Sequence, residues 1–217
     1  VVGWYLPYCR MLAGDLSCCS WQSMDEPPRG EHSGLAEILV SQLAGLLPLE
    51  KRRNHLAQYR ALLEEARQIV ARPGAGLILV HLPPPHEPAI YDRRSGDFTL
   101  MNFRRDWYLD NLALADRTLG ELRRAMEQAG VWEQAYVLVT ADHSLRYYRG
   151  FNTRTDPRVP FLLKLPGQTE GMEYTAPFHA IAIHDLILAL LGGEITAPQD
   201  VARWLDARVA ASVPPKR

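Results

Sequence analysis

Residues 135–144, AYVLVTADHS, constrain this chain more than any other ten. Tyr136 to Thr140 form an apolar, partly β-branched run too short for a helix, and it reads as a strand buried on both faces. That strand runs directly into Asp142 and His143. In an open α/β sheet, ligands gather beyond the carboxyl ends of the strands, so a carboxylate and an imidazole stand where such sites are usually built. Neighbours on a strand face opposite ways, so the two side chains can meet one cation only if the chain leaves extended geometry at Ala141. Imidazole is a borderline-soft ligand, which suits zinc or manganese better than calcium or magnesium. The same residues would equally make a plain turn closed by an Asx hydrogen bond.

With 217 residues and 47% hydrophobic content, the chain can bury a full core, and one domain over residues 1–217 is the simplest expectation. A net charge of −1 gives no field that favours nucleic acid or an acidic membrane, so neither is expected as a direct partner. No apolar run is long enough to cross a bilayer, and no signal peptide opens the chain. Residues 1–5 begin without Met and already read as a strand, so polypeptide is expected upstream of Val1. Cys9, Cys18 and Cys19 lie within eleven residues of one another. They suggest a local disulfide from Cys9 to Cys18 or Cys19 and an oxidising compartment, against the alternative of buried free thiols. Trp4, Tyr5, Tyr8 and Trp21 read as core and lid packing.

Apolar residues at three- and four-residue spacing predict helix over residues 33–72, broken or kinked at Pro48. His32 and His55 are assigned to surface or capping positions on it. Residues 76–80 then form a second short apolar run ending at His81, followed by HLPPPHEPAIYD, whose four prolines hold it extended and forbid ladder pairing. His81 and His86, in a stiff loop at a strand end, are candidates to hold a second metal or a substrate oxyanion; the alternative is a proline-rich surface loop. Arg93 and Arg94 read first as an exposed turn and second as anion contacts. An amphipathic helix over residues 102–130 leads to the strand before Asp142, which predicts a right-handed βαβ unit with parallel neighbours. Residues 145–157 lack periodicity and carry Arg146 in a substrate-facing loop. Strand is predicted at residues 158–164 and helix at residues 178–191, with His179 a possible ligand and His184 and Asp185 structural. A short helix over residues 200–209 closes the pattern.

VTADHS after a strand, HLPPPHEP after the preceding one, RVPFLLKLPG beyond them and HDLILALLGG near the end together resemble the later part of the sulfatase-like branch of the alkaline phosphatase superfamily. That branch includes sulfatases, phosphoethanolamine transferases and lipoteichoic-acid-synthase-like enzymes. The resemblance implies a three-layer α/β/α sandwich with a mostly parallel central sheet, its first strands upstream of Val1. It implies hydrolysis or transfer of a sulfate or phosphate ester through a covalent intermediate, assisted by a divalent cation (zinc, manganese or calcium). Asp142 and His143 match the family's late metal-ligand pair, and His81 and His86 its histidine-bearing loop at the metal or substrate. None of the three cysteines stands in the C-x-P-x-R setting of a sulfatase nucleophile, so the nucleophile is expected upstream and this chain is expected to be inactive alone. The resemblance further implies an extracytoplasmic protein, with membrane attachment only through an upstream anchor. A non-catalytic relative that binds a partner or an anionic glycan is the alternative.

Overall fold

The computed structural model describes residues 1–12, 14–23, 48–145 and 156–212. His32, the helix expected over residues 33–47 and Arg146 therefore lie outside the described residues. The chain divides into two compact units, built mainly from Val1–Trp132 and from Glu133–Ser144 with Asp156–Arg217.

The first unit is α/β. Its strands β1 (Val2–Trp4), β2 (Ser20–Gln22) and β3 (Val80–His81) form a parallel sheet in the order β2-β1-β3. Register places Val2 opposite both Ser20 and Val80, and Gly3 opposite His81. Parallel strands need long crossovers, and α1 (Tyr8–Met11) and α2 (Pro48–Val70) lie on the connections that return the chain to the sheet. Pro48 opens α2, a position where its missing N–H costs nothing because the first turn's donors have no intrahelical partner. The buried face of α2 recurs as His55, Gln58, Tyr59, Leu62, Leu63, Ala66, Ile69 and Val70, the three- and four-residue spacing of one helical stripe. Leu62, Ala66, Ile69 and Val70 pack against Val2 and Trp4 of β1. The strand's alternation thus turns Val2 and Trp4 to the helix and Gly3 to the opposite face.

Beyond β3, the proline segment ends in a hairpin of β4 (Tyr91–Asp92) and β5 (Asp97–Phe98), so ladder pairing resumes three residues after Pro88. The turn at residues 93–96 is closed by the Asp92 carboxylate accepting from the Arg94 N–H and by Gly96 at φ 76°. Helix α3 (Trp107–Gln128) follows. Leu112 of α3 is exposed, whereas Asp110, Asn111, Leu114 and Thr118 form the buried face. Apolar periodicity alone misplaces that face because polar groups on it serve the preceding loop.

In the second unit, β6 (Val137–Thr140) pairs antiparallel with β7 (Phe161–Lys164), Val137 opposite Lys164 and Thr140 opposite Phe161. This corrects two expectations. The ladder of β6 is antiparallel, where a parallel neighbour is predicted, and β6 is half-buried with Thr140 exposed, where burial on both faces is predicted. An antiparallel pair needs only one covered face: Phe161 and Leu163 pack inward while Leu162 faces solvent. The core joins Leu165 to Leu186, Ala189 and Leu190 of α4 (Ala182–Leu191) and to Val201 and Leu205 of α5 (Pro198–Ser212). Among the described residues no helix is long and apolar enough to cross a membrane.

Cys9 of α1 is disulfide-bonded to Cys19, just before β2, with a Cα–Cα distance of 5.6 Å, and Cys18 is a free, exposed thiol. The bridge closes a loop ten residues apart in sequence, for which loss of chain entropy in the unfolded state is worth about 2–3 kcal/mol. Cys9→Ser is expected to lower unfolding stability by that amount in urea titration, with Cys18→Ser unchanged; equal effects would contradict the pairing.

Candidate functional site

In the first unit, three imidazoles surround one indole at the carboxyl end of β1. The ring of Trp4 lies 5.7 Å from His55, 6.3 Å from His81 and 5.2 Å from His86, centroid to centroid. Trp4 is buried and donates from Nε1 to Gln58 Oε1 at 3.2 Å, and Gln58 Nε2 donates in turn to the Ser23 carbonyl at 2.8 Å. The polar first part of the α2 stripe, His55 and Gln58, therefore meets the sheet where the strands end. Tyr5 leaves β1 in the left-handed region at φ 70°, uncommon for a residue with a side chain, and turns the main chain sharply there.

His86 is exposed, but its orientation is fixed. Nδ1 lies 2.6 Å from the Glu87 carbonyl, an acceptor only, so Nδ1 carries the proton and Nε2 presents the lone pair of the neutral ring. The backbone of this loop is held from α3. Buried Asn111 donates from Nδ2 to the carbonyls of His86 (2.7 Å) and Pro88 (3.3 Å) and accepts the Ile90 N–H at Oδ1 (3.3 Å). Next to it, the Asp110 carboxylate, wholly buried, takes Arg93 at 3.2 Å and Asn102 Nδ2 at 2.8 Å. Asp106 binds both Arg104 and Arg93 at 2.7 Å, and those guanidinium groups hold its pKa down at about 2. Arg93 is thus committed to carboxylates of its own unit, which corrects its reading as an anion contact.

His55 was missed by sequence reasoning, which placed it at the surface. It is 5% exposed, and its buried Nε2 has no hydrogen-bond partner among the described residues. Desolvation, with smaller contributions from His86 and Lys51, lowers its pKa from 6.5 to about 4. The available signal was its place in the apolar stripe, four residues before Tyr59 and seven before Leu62.

In the second unit, the chain turns after Thr140 as the spacing requires, and Asp142 and His143 come together: Oδ2 and Nε2 are 3.9 Å apart and both side chains are exposed. The His143 N–H donates to Asp142 Oδ1 at 3.0 Å, so the local turn bond is present as well. His143 Nδ1 donates to the Ser144 carbonyl at 2.8 Å, which leaves the lone pair on Nε2. A backbone carbonyl fixing the second nitrogen is the usual support of a metal-binding histidine. The pair fits two ligands of a divalent cation: two bonds of about 2.0–2.5 Å together exceed the 3.9 Å between Oδ2 and Nε2, so one ion reaches both atoms. Among the described residues no group of three His, Cys, Asp or Glu side chains is gathered for a metal. His179 Nδ1 accepts the Ile181 N–H at 3.3 Å ahead of α4, so its neutral ring carries the proton on Nε2. His184 is exposed and paired with Asp185 at 2.8 Å.

Two outcomes follow. The neutral form of His55 is favoured in the folded chain, so stability is independent of this group above about pH 6.5. It falls as the pH drops toward about 4, because the unfolded chain takes up the proton first, by on the order of 3 kcal/mol in all. Denaturation midpoints measured across that window in His55→Leu should lose this part of the slope. Asn111→Ala should leave the loop carbonyls and the Ile90 N–H without partners, at a cost of about 1–3 kcal/mol, with faster hydrogen exchange at Ile90; an unchanged Ile90 rate would refute the clamp.

The profile of the family described as Sulfatase matches residues 40–193, a span that contains His81, His86, Asp142 and His143. Arylsulfatase K of Danio rerio is 30% identical over 106 residues, 45% of this chain and 20% of that protein, so the match spans about a fifth of the relative's length. No solved structure matches the chain. With most of its length inside the family profile and its strand-end residues within that span, the chain belongs to the sulfatase family.

Proposed function

We propose that this chain contributes part of the site of an enzyme that hydrolyses sulfate esters with a divalent cation and a covalent intermediate, its nucleophile lying on polypeptide upstream of Val1. Asp142 and His143 hold the cation, and His81, His86 and Arg146 meet the ester. The cation supplies charge stabilisation at the reacting oxygens and lowers the pKa of the attacking group. A donor nitrogen such as His81 Nε2 neutralises the sulfuryl oxygens as the bond to the leaving oxygen breaks, the step at which fixed dipoles contribute most, whereas His86, with its proton on Nδ1, offers Nε2 to a group that bears a proton. A phosphate ester would be held by the same chemistry; the family match favours sulfate.

The observation that carries this reading is the state of His143. Its Nδ1 is tied to a main-chain carbonyl and its Nε2 lies beside an unburied carboxylate, directly after a strand and inside the family span. The Cys9–Cys19 bridge supports an extracytoplasmic location, since such bonds persist where the surroundings are oxidising. Attachment to a membrane, where present, would come from an upstream anchor.

Metal content and aryl-sulfate turnover of the longer gene product test the reading. Asp142→Ala and His143→Ala should each bind the cation at least about tenfold more weakly and lose about 10²–10³ in kcat. Unchanged metal stoichiometry in both variants would remove the ligand assignment. Sulfate binding without turnover in the unaltered protein would instead favour the non-catalytic alternative, a module for an anionic glycan.

A further inference from the structure

We propose that Tyr8 is a positioning residue for His81: its phenol donates to Nδ1 of the imidazole, keeps the ring proton on Nε2, and so makes that nitrogen a donor toward the ester oxygens. The inference rests on the reading of His81 as an anion-binding residue. Tyr8 Oη and His81 Nδ1 are 2.9 Å apart across 73 residues of chain, with the rings edge to face at 5.9 Å. Between a phenol of pKa about 10 and a neutral imidazole, the O–H is the better donor and the ring nitrogen the better acceptor.

The approach is built into the sheet. Gly3 is the register partner of His81, and a Cβ added there would collide with the Tyr8 ring, with Cε2 only 2.8 Å away. Tyr8 therefore lies in the space that a side chain at Gly3 would fill, on the face that Gly3 and His81 share. The adjacent Cys9 is stapled to Cys19, so the turn that carries Tyr8 is tied to the start of β2. His86 has the opposite tautomer, with its proton on Nδ1. Five residues apart, the loop presents one donor nitrogen and one acceptor nitrogen. A sulfate group carries only acceptors and selects the first; the second meets a group that bears a proton.

Nitrogen-15 NMR of the histidine-labelled chain at neutral pH reads this directly. The expected result is His81 protonated on Nε2, with its Nδ1 resonance displaced by the accepted hydrogen bond. Tyr8→Phe should move that resonance to the position of an unbonded ring nitrogen, and Gly3→Ala should do the same by expelling the phenol. Backbone amide spectra report that each variant is folded, and Cys18→Ser is the control without effect. Protonation on Nδ1 in the unaltered chain, or a resonance indifferent to Tyr8→Phe, overturns the proposal. Titration with inorganic sulfate should move the His81 Nε2 resonance and bind about three- to tenfold more weakly in Tyr8→Phe, as for one hydrogen bond. Sulfate without effect on His81 overturns the donor role together with the anion reading, a failure distinct from that of the Tyr8 contact.

Discussion

The contact between β1 and α2 is what the first unit depends on. Val2 and Trp4 enter the helix face formed by Leu62, Ala66, Ile69 and Val70, and this seals one side of the parallel sheet. Burial of two large side chains from a three-residue strand fixes its rotation about its own axis, because slipping by one residue would exchange Val2 and Trp4 for Gly3. With that rotation set, Gly3 opens the opposite face to Tyr8, and the indole of Trp4 becomes the surface against which His55, His81 and His86 are arranged.

Main-chain carbonyls set the tautomer of two exposed histidines. His86 and His143 each donate from Nδ1 to the carbonyl of a residue beside them in sequence, so the neutral ring offers Nε2 as an acceptor or ligand. No charged partner is needed for this, and the cost is small because the donor and acceptor belong to the same turn. His81 takes its partner from a distant element. Among the described residues His55 has no partner at Nε2, and burial, with smaller contributions from His86 and Lys51, favours its neutral form. Four imidazoles of one chain thus fall into three settings, set by the atom that faces Nδ1 or, at His55, by burial of Nε2.

What was legible in the sequence was local. Asp142 and His143 stand side by side after a strand, and the turn that joins them needs no knowledge of the rest of the fold. The same holds for the stiff HLPPPHEP segment, the helix after Pro48 and the closely spaced cysteines. What was not legible depends on partners far along the chain: Asn111 serves a carbonyl 25 residues earlier, and Tyr8 meets a ring 73 residues later. The burial of His55 follows from the rotation of α2 against β1. The antiparallel ladder of β6 was hidden for a related reason, since an apolar run reports hydrophobicity but not the direction of its neighbour.

The clamp by Asn111 bears on how this segment can vary. Between Pro83 and Pro88, six residues bring six carbonyl groups but only two N–H groups, those of His86 and Glu87, so the stretch has a deficit of donors that it cannot repair internally. A side-chain amide on a neighbouring helix supplies part of the deficit and sets the path of the main chain from outside. Side chains that point away from α3 are then free to drift without altering the course of the segment. The helix holds its shape by proxy, and a change of specificity can be written in the loop while the instruction for its conformation stays elsewhere.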